Sequence, residues 1–195
     1  MGEWIGACEQ STDGEPAENK YFHAAVKQTD DNAFESTFEY YRVDKATGSP
    51  LHIGNTTIAT AVQPDGTALS AINGCGVMLV SEKPKNQRHD FREVLRFTDV
   101  GSIDGEGSGT ICVEGLPFGL GKNGKIRDAR SAWTLSDGVM TMHQTLKASF
   151  RALIFTKSFD FTAHYTARRG SDIASLMAKE MRLASKPGQA APPGS

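Results

Sequence analysis

Cysteine is scarce in this chain and wrongly spaced for cross-linking. Cys8, Cys75 and Cys112 are an odd number with no C-x-x-C pattern among them, which argues against a disulfide framework or a structural zinc site. Each sits among small or apolar residues, so small core side chains are expected rather than a reactive thiol. No apolar run approaches the roughly 20 residues that a membrane-spanning helix needs. A secretory leader pattern is also missing, so the expected compartment is the cytoplasm, or the periplasm or exterior if a leader was trimmed. Charge of one sign is not in excess: 21 Lys and Arg face 23 Asp and Glu, a formal net charge of −2. The two signs are mixed along the chain, which leaves no electrostatic footprint for nucleic acid or an anionic membrane. Walker, H-E-x-x-H, G-x-S-x-G and EF-hand patterns are absent, and with them the chemistries that those spacings serve.

What the chain does have is glycine and two-residue alternation. Its 195 residues suit one domain, and at that size folding buries roughly 70% of the unfolded surface. Twenty glycines and a 38% apolar fraction point to a turn-rich all-β domain. In AFESTFEYYRV, Phe34, Ser36, Phe38 and Tyr40 alternate with Glu35, Thr37 and Glu39, as a half-buried antiparallel strand requires. SFDFTAHYTARR sets Phe159, Phe161, Ala163 and Tyr165 against Asp160, Thr162, His164 and Thr166. DFREVLRF sets Phe91, Glu93, Leu95 and Phe97 against Arg92, Val94 and Arg96. Further strands are predicted in EWIGACEQ, KYFHAAVKQ, TTIATAVQ, ALSAINGCGVMLV, GTICVEG, KIRDARSAWTL, GVMTMHQTLKA and FRALIFTK. Turn signals separate them at 29–32, 44–50, 63–66, 83–90, 121–125 and 136–138. The four glycines of GSIDGEGSGT (101–110) predict a bulge or sharp bend.

About eight to ten strands with short turns and no intervening helix predict an antiparallel up-and-down β-barrel or a sandwich. One helix follows in SDIASLMAKEMRLASKPG. Ser171 or Asp172 caps it, Ile173, Leu176, Met177, Met181 and Ala184 form its apolar face, and Pro187 and Gly188 end it. That stripe is expected to pack on the barrel exterior. A single domain over residues 2–186 and a disordered tail over 187–195 complete the layout.

Several patterns invite chemical readings. Gly119, Gly121 and Gly124 have the spacing of a dinucleotide fingerprint, but the following KIRDARSAWTL alternates as a strand, whereas that motif needs a helix N-terminus there. A loop is therefore expected. His143 and His164 fall within strands, and His89 in a charged loop with Asp90. Glu39, Glu93, Asp128 and Asp160 are strand carboxylates whose ordinary place is a solvated outer face. Arg96 and Arg130 are the cations to consider for holding a ligand carboxylate.

Gly2-Glu3-Trp4 in the first strand, about ten antiparallel strands, an Arg-bearing last strand and a C-terminal helix together resemble the calycin superfamily of lipocalins, fatty-acid-binding proteins and nitrobindin-type haem barrels. The resemblance implies that Trp4 plugs the barrel floor, with Arg168 or its neighbour Arg169 packed over it. It further implies non-covalent binding of a small, mostly apolar molecule in a cavity lined by Phe34, Phe38, Tyr40, Phe159, Phe161 and Tyr165. No cofactor is then required. One alternative is an enzyme, an isomerase, cyclase or hydrolase, acting on a lipid-like substrate in the same cavity. Another is nitrobindin-like haem ligation through His164, which stands in AHYTARR near the late-strand ligand position. Alternation turns His164 outward if Phe159, Phe161 and Tyr165 line the interior, and inward if they pack beneath the helix. No nucleic-acid partner or membrane span is expected, and a homodimer is left open.

Overall fold

A computed structural model describes residues 1–15, 18–44, 46–80, 83–115, 124–152 and 155–184. Ten strands run through them: β1 (Gly2–Thr12), β2 (Glu18–Asp30), β3 (Ala33–Val43), β4 (Pro50–Val62), β5 (Thr67–Val80), β6 (Lys83–Asp99), β7 (Ser102–Val113), β8 (Gly124–Ser136), β9 (Val139–Ala152) and β10 (Phe155–Arg169). Each pairs antiparallel with the next, and β10 returns to β1, with Trp4 opposite Arg169 and Thr12 opposite Phe161. The sheet is a closed barrel with no free edge, so its ladder groups present no template for another strand.

The alternation seen in the sequence decides which side chains enter. Trp4, Cys8, Phe22, Ala24, Phe38, Ala163 and Ala167 form one inward cluster, with Tyr40, Phe161 and Tyr165 packed against it. Ile72, Phe91, Ile126 and Ala129 form a second, and Val113, Ala148 and Phe150 a third. Large inward rings are opposed by inward glycines. Phe22 faces Gly6, Phe91 faces Gly109 and Phe150 faces Gly124 across paired strands. A Cβ on any of these glycines would meet the opposing residue. Ring and hydrogen thus alternate so that side chains fit inside a narrow cylinder.

Two sequence expectations shift by one element. Residues 83–90, read as a turn, are the first half of β6, a strand of 17 residues. FRALIFTK, read as one strand, instead holds the end of β9 and the start of β10. The glycine-rich stretch does carry an irregularity: the β7–β8 register shifts between Gly107 and Gly109. Opposite it, Asp128 adopts φ of 51°, the left-handed region that Asp tolerates better than most residues.

The helix α1 (Ile173–Ala184) is capped by Asp172, whose Oδ1 accepts the Ser175 backbone N–H at 2.9 Å. Leu176 and Met177 are buried with Ile5 and Tyr21, and Ile173 packs alongside Tyr41 and Val43. These strand residues have the outward parity, so the helix covers the barrel's outer face. Gly119, Gly121, Pro187, Gly188 and the tail lie outside the described residues. No helix among those described is long and apolar enough to cross a membrane.

Candidate functional site

Trp4 is 9% exposed, and the Arg169 guanidinium carbon stands 4.7 Å from its ring centroid. Arg169 also donates to the Met1 carbonyl. The arginine over Trp4 is therefore Arg169 and not Arg168, which pairs with Ile5 on the outward parity and is exposed. Gly2 has φ of 123°, and a Cβ there would collide with the Arg169 guanidinium. The Gly-x-Trp spacing is explained by one contact: cation over ring, with glycine leaving the space through which the arginine reaches.

Phe34, Phe38, Tyr40, Phe159, Phe161 and Tyr165 all have the inward parity. Phe38 is buried, Tyr40, Phe161 and Tyr165 pack on its cluster, and Phe159 lies edge-on to Phe150 at 5.7 Å between centroids. Phe34 pairs with Thr60, whose hydroxyl is bonded to the buried Ser70 at 2.8 Å. Phe38 and Tyr40 lie within 5.7 and 6.3 Å of Phe22 and Tyr165 within 5.9 Å. Phe22, Phe38, Tyr40 and Tyr165 thus fill one sector of the interior against each other.

Two polar groupings interrupt this lining. In the first, Cys8 and Tyr40 each hydrogen-bond to Tyr165, and Tyr40 also bonds to Thr56. Burial pushes the Cys8 thiol up to about 11 and raises both tyrosines. Cys8 is therefore held as an inert thiol. Thr56 and the His89 ring both lie over Gly74, where a Cβ would meet them. Desolvation lowers the His89 pKa, only partly opposed by Asp90. His89 thus belongs to the inner wall of β6 and not to a charged loop.

The second grouping centres on Glu93, 4% exposed and facing inward from β6. Ser131 of β8 donates to Glu93 Oε1 and accepts the Trp133 indole N–H at 3.0 Å. Between them runs β7, whose inward positions 105, 107 and 109 are all glycine. A Cβ on Gly105 would strike the Glu93 carboxyl and the Ser131 hydroxyl, and one on Gly107 or Gly109 would strike Phe91. The bare strand lets Glu93 reach across to Ser131. Desolvation raises the Glu93 pKa more than the Ser131 bond lowers it. A carboxyl so placed is stabilised in its neutral form and can donate as well as accept.

Other candidates are on the outside. Glu39, Asp128 and Asp160 are exposed. Arg96 is bridged to Glu106 at 3.5 Å on the surface, and Arg130 is exposed opposite Thr145. A cleft of about 440 Å³ lies beside the β7–β8 bulge, lined by Glu106, Ser108, Arg127, Asp128 and Arg130 among others. His164 is also exposed, its Nδ1 3.3 Å from that of His143. A group bound inside the barrel is out of its reach, so the reading of His164 as an axial haem ligand is corrected: the aromatics line the interior and the histidine faces out. Cys75 is exposed as well, against the expectation of a core residue, while all three thiols are free.

The inward histidine and the carboxyl were both detectable as a continuation of one pattern. His89, Phe91, Glu93 and Leu95 share a parity, but the charged neighbours of His89 masked it. Ser131 had no such signal, because the bulge at Asp128 resets the phase of β8. His89 and Glu93 are four residues apart on one strand, about 13 Å at the rise of an extended chain. They do not form a direct acid–base pair.

No protein-family model and no curated protein sequence matches the chain. A solved structure, the crystal structure of Rv2717c from M. tuberculosis, is similar over 87% of this chain and 92% of that one, at 12% identity and a TM-score of 0.48.

Proposed function

We propose that the chain is a calycin-like barrel that binds a small, mostly apolar molecule non-covalently in its interior, with Glu93 as the polar handle. The observation that carries this is a buried carboxyl in an apolar lining, with Ser131 as its hydrogen-bond partner and desolvation raising its pKa. Burying such a group costs folding free energy unless it is well partnered, and perturbed groups of this kind concentrate at binding and catalytic sites. The glycine positions of β7 admit the Glu93 carboxyl, Ser131 and Phe91 against that wall, and Phe159 and Phe161 supply apolar surface on β10. A ligand carrying one carbonyl or hydroxyl oxygen on a hydrocarbon body suits this mixture.

The test begins with native mass spectrometry of freshly purified protein, followed by titration with retinoids, fatty acids and sterols under Trp133 fluorescence. A folded Glu93→Gln variant is expected to keep most affinity and Glu93→Ala to lose roughly 5- to 150-fold, from the 1–3 kcal/mol cost of an unpaired buried group. Parent protein that binds none of the probes and carries no co-purified mass sinks the reading. A second reading, an enzyme on the same kind of substrate, is favoured by the raised Glu93 pKa, which suits a general acid. Turnover that vanishes in Glu93→Gln while binding persists selects it.

A further inference from the structure

On the outer face, away from Glu93, His143 of β9 and His164 of β10 are directly paired across the ladder. Both are exposed, with Nδ1 atoms 3.3 Å apart and rings at 76°. Without an ion, this contact needs one nitrogen to donate and the other to accept, since both rings offer the same atom. Two nitrogens bound to one zinc ion at 2.0–2.1 Å in tetrahedral geometry stand about 3.4 Å apart. The observed separation of 3.3 Å matches that spacing.

We propose that His143 and His164 form a surface clamp for a divalent transition ion of the zinc, nickel or copper class. Imidazole nitrogen selects those ions over magnesium or calcium. The ring centroids are 4.3 Å apart, close enough for each exposed ring to present a nitrogen to one shared ion. The closed ladder holds the two Cα atoms in register, so the backbone pays no rearrangement when the ion binds. Among the described residues no third His, Cys, Asp or Glu converges with them, so water completes the coordination. Glu9 on β1 is paired with His164 and places a negative charge on the same face, which favours a cation.

The experiment is calorimetric titration of the whole chain with zinc chloride and with nickel chloride, repeated on His143→Gln, His164→Gln and the double variant. Circular dichroism confirms that these surface variants fold. A saturable site is expected in the parent, lost in each single variant and preserved in Cys75→Ser, whose exposed thiol is the competing ligand. Zinc is also expected to raise the parent's melting temperature, because an ion that binds the folded state stabilises it, and to leave the double variant unmoved. Parent protein with no saturable uptake, a double variant that titrates like the parent, or uptake lost in Cys75→Ser overturns the proposal.

Discussion

Trp4 is held in the barrel's interior by contacts that reach both ends of the chain. Its ring packs inward on the Phe22 and Phe38 cluster, while Arg169 from the last strand covers its face. Deleting a buried aromatic of this size costs the transfer free energy of the ring and leaves a cavity. Trp4→Ala is expected to destabilise the protein by roughly 3–5 kcal/mol, measured by urea unfolding. Trp4→Phe, which keeps an aromatic face for Arg169, should lose distinctly less. Equal stability for the parent and Trp4→Ala would place the ring outside the core. Of the residues at this contact, glycine and tryptophan were legible from their spacing. Which of two adjacent arginines reached the ring was not, because it depends on the parity with which β10 meets β1.

At the scale of elements, α1 lies outside a barrel that closes without it. Its buried side chains touch the outward residues of β1 and β2, and no strand pairing runs through it. A single-turn cap and a small apolar face hold it, so it should open on its own before the barrel does. Met177→Ala is expected to speed amide hydrogen exchange in residues 173–179 while leaving β1 and β10 protected. Uniform loss of protection across barrel and helix would show that they unfold as one unit. The amphipathic stripe made this helix readable in advance. The hidden element was the first half of β6, whose lysines, asparagine and arginine resemble a turn, although Asn86, Arg88 and Asp90 occupy the exposed outward face of a strand.

For the whole molecule, the buried titratable groups set how stability varies with pH. Glu93 has a folded pKa above its ordinary value near 4.5. Between those two values the folded state holds more protons than the unfolded one, so its contribution falls as pH rises through that window. His89 has a folded pKa below its ordinary 6.5, so the unfolded state holds more protons there, and its contribution falls as pH drops below 6.5. The two effects oppose each other in mildly acidic solution. Glu93→Gln removes the first, so its stability relative to the parent should climb as pH is raised from about 4. Unfolding free energies measured across that range check the sign, and a flat difference would mean that Glu93 ionises in the fold as it does in the unfolded chain.

Period-two alternation by itself determined antiparallel strands and the set of aromatics that share one face, because a strand's two faces are fixed by covalent geometry. The apolar stripe with its cap determined the helix. Closure into a barrel and which face turned inward were decided by the tertiary structure. The same alternation pointed His164 outward once the aromatics were placed. Tertiary structure alone decided that Glu93 meets Ser131 across Gly105 of β7 and that His143 stands beside His164. It also decided that Arg169 covers Trp4. Each of these pairs joins residues distant in sequence or on different strands. Their meeting depends on strand register and, for Ser131, on the bulge at Asp128, quantities that local side-chain preference does not encode.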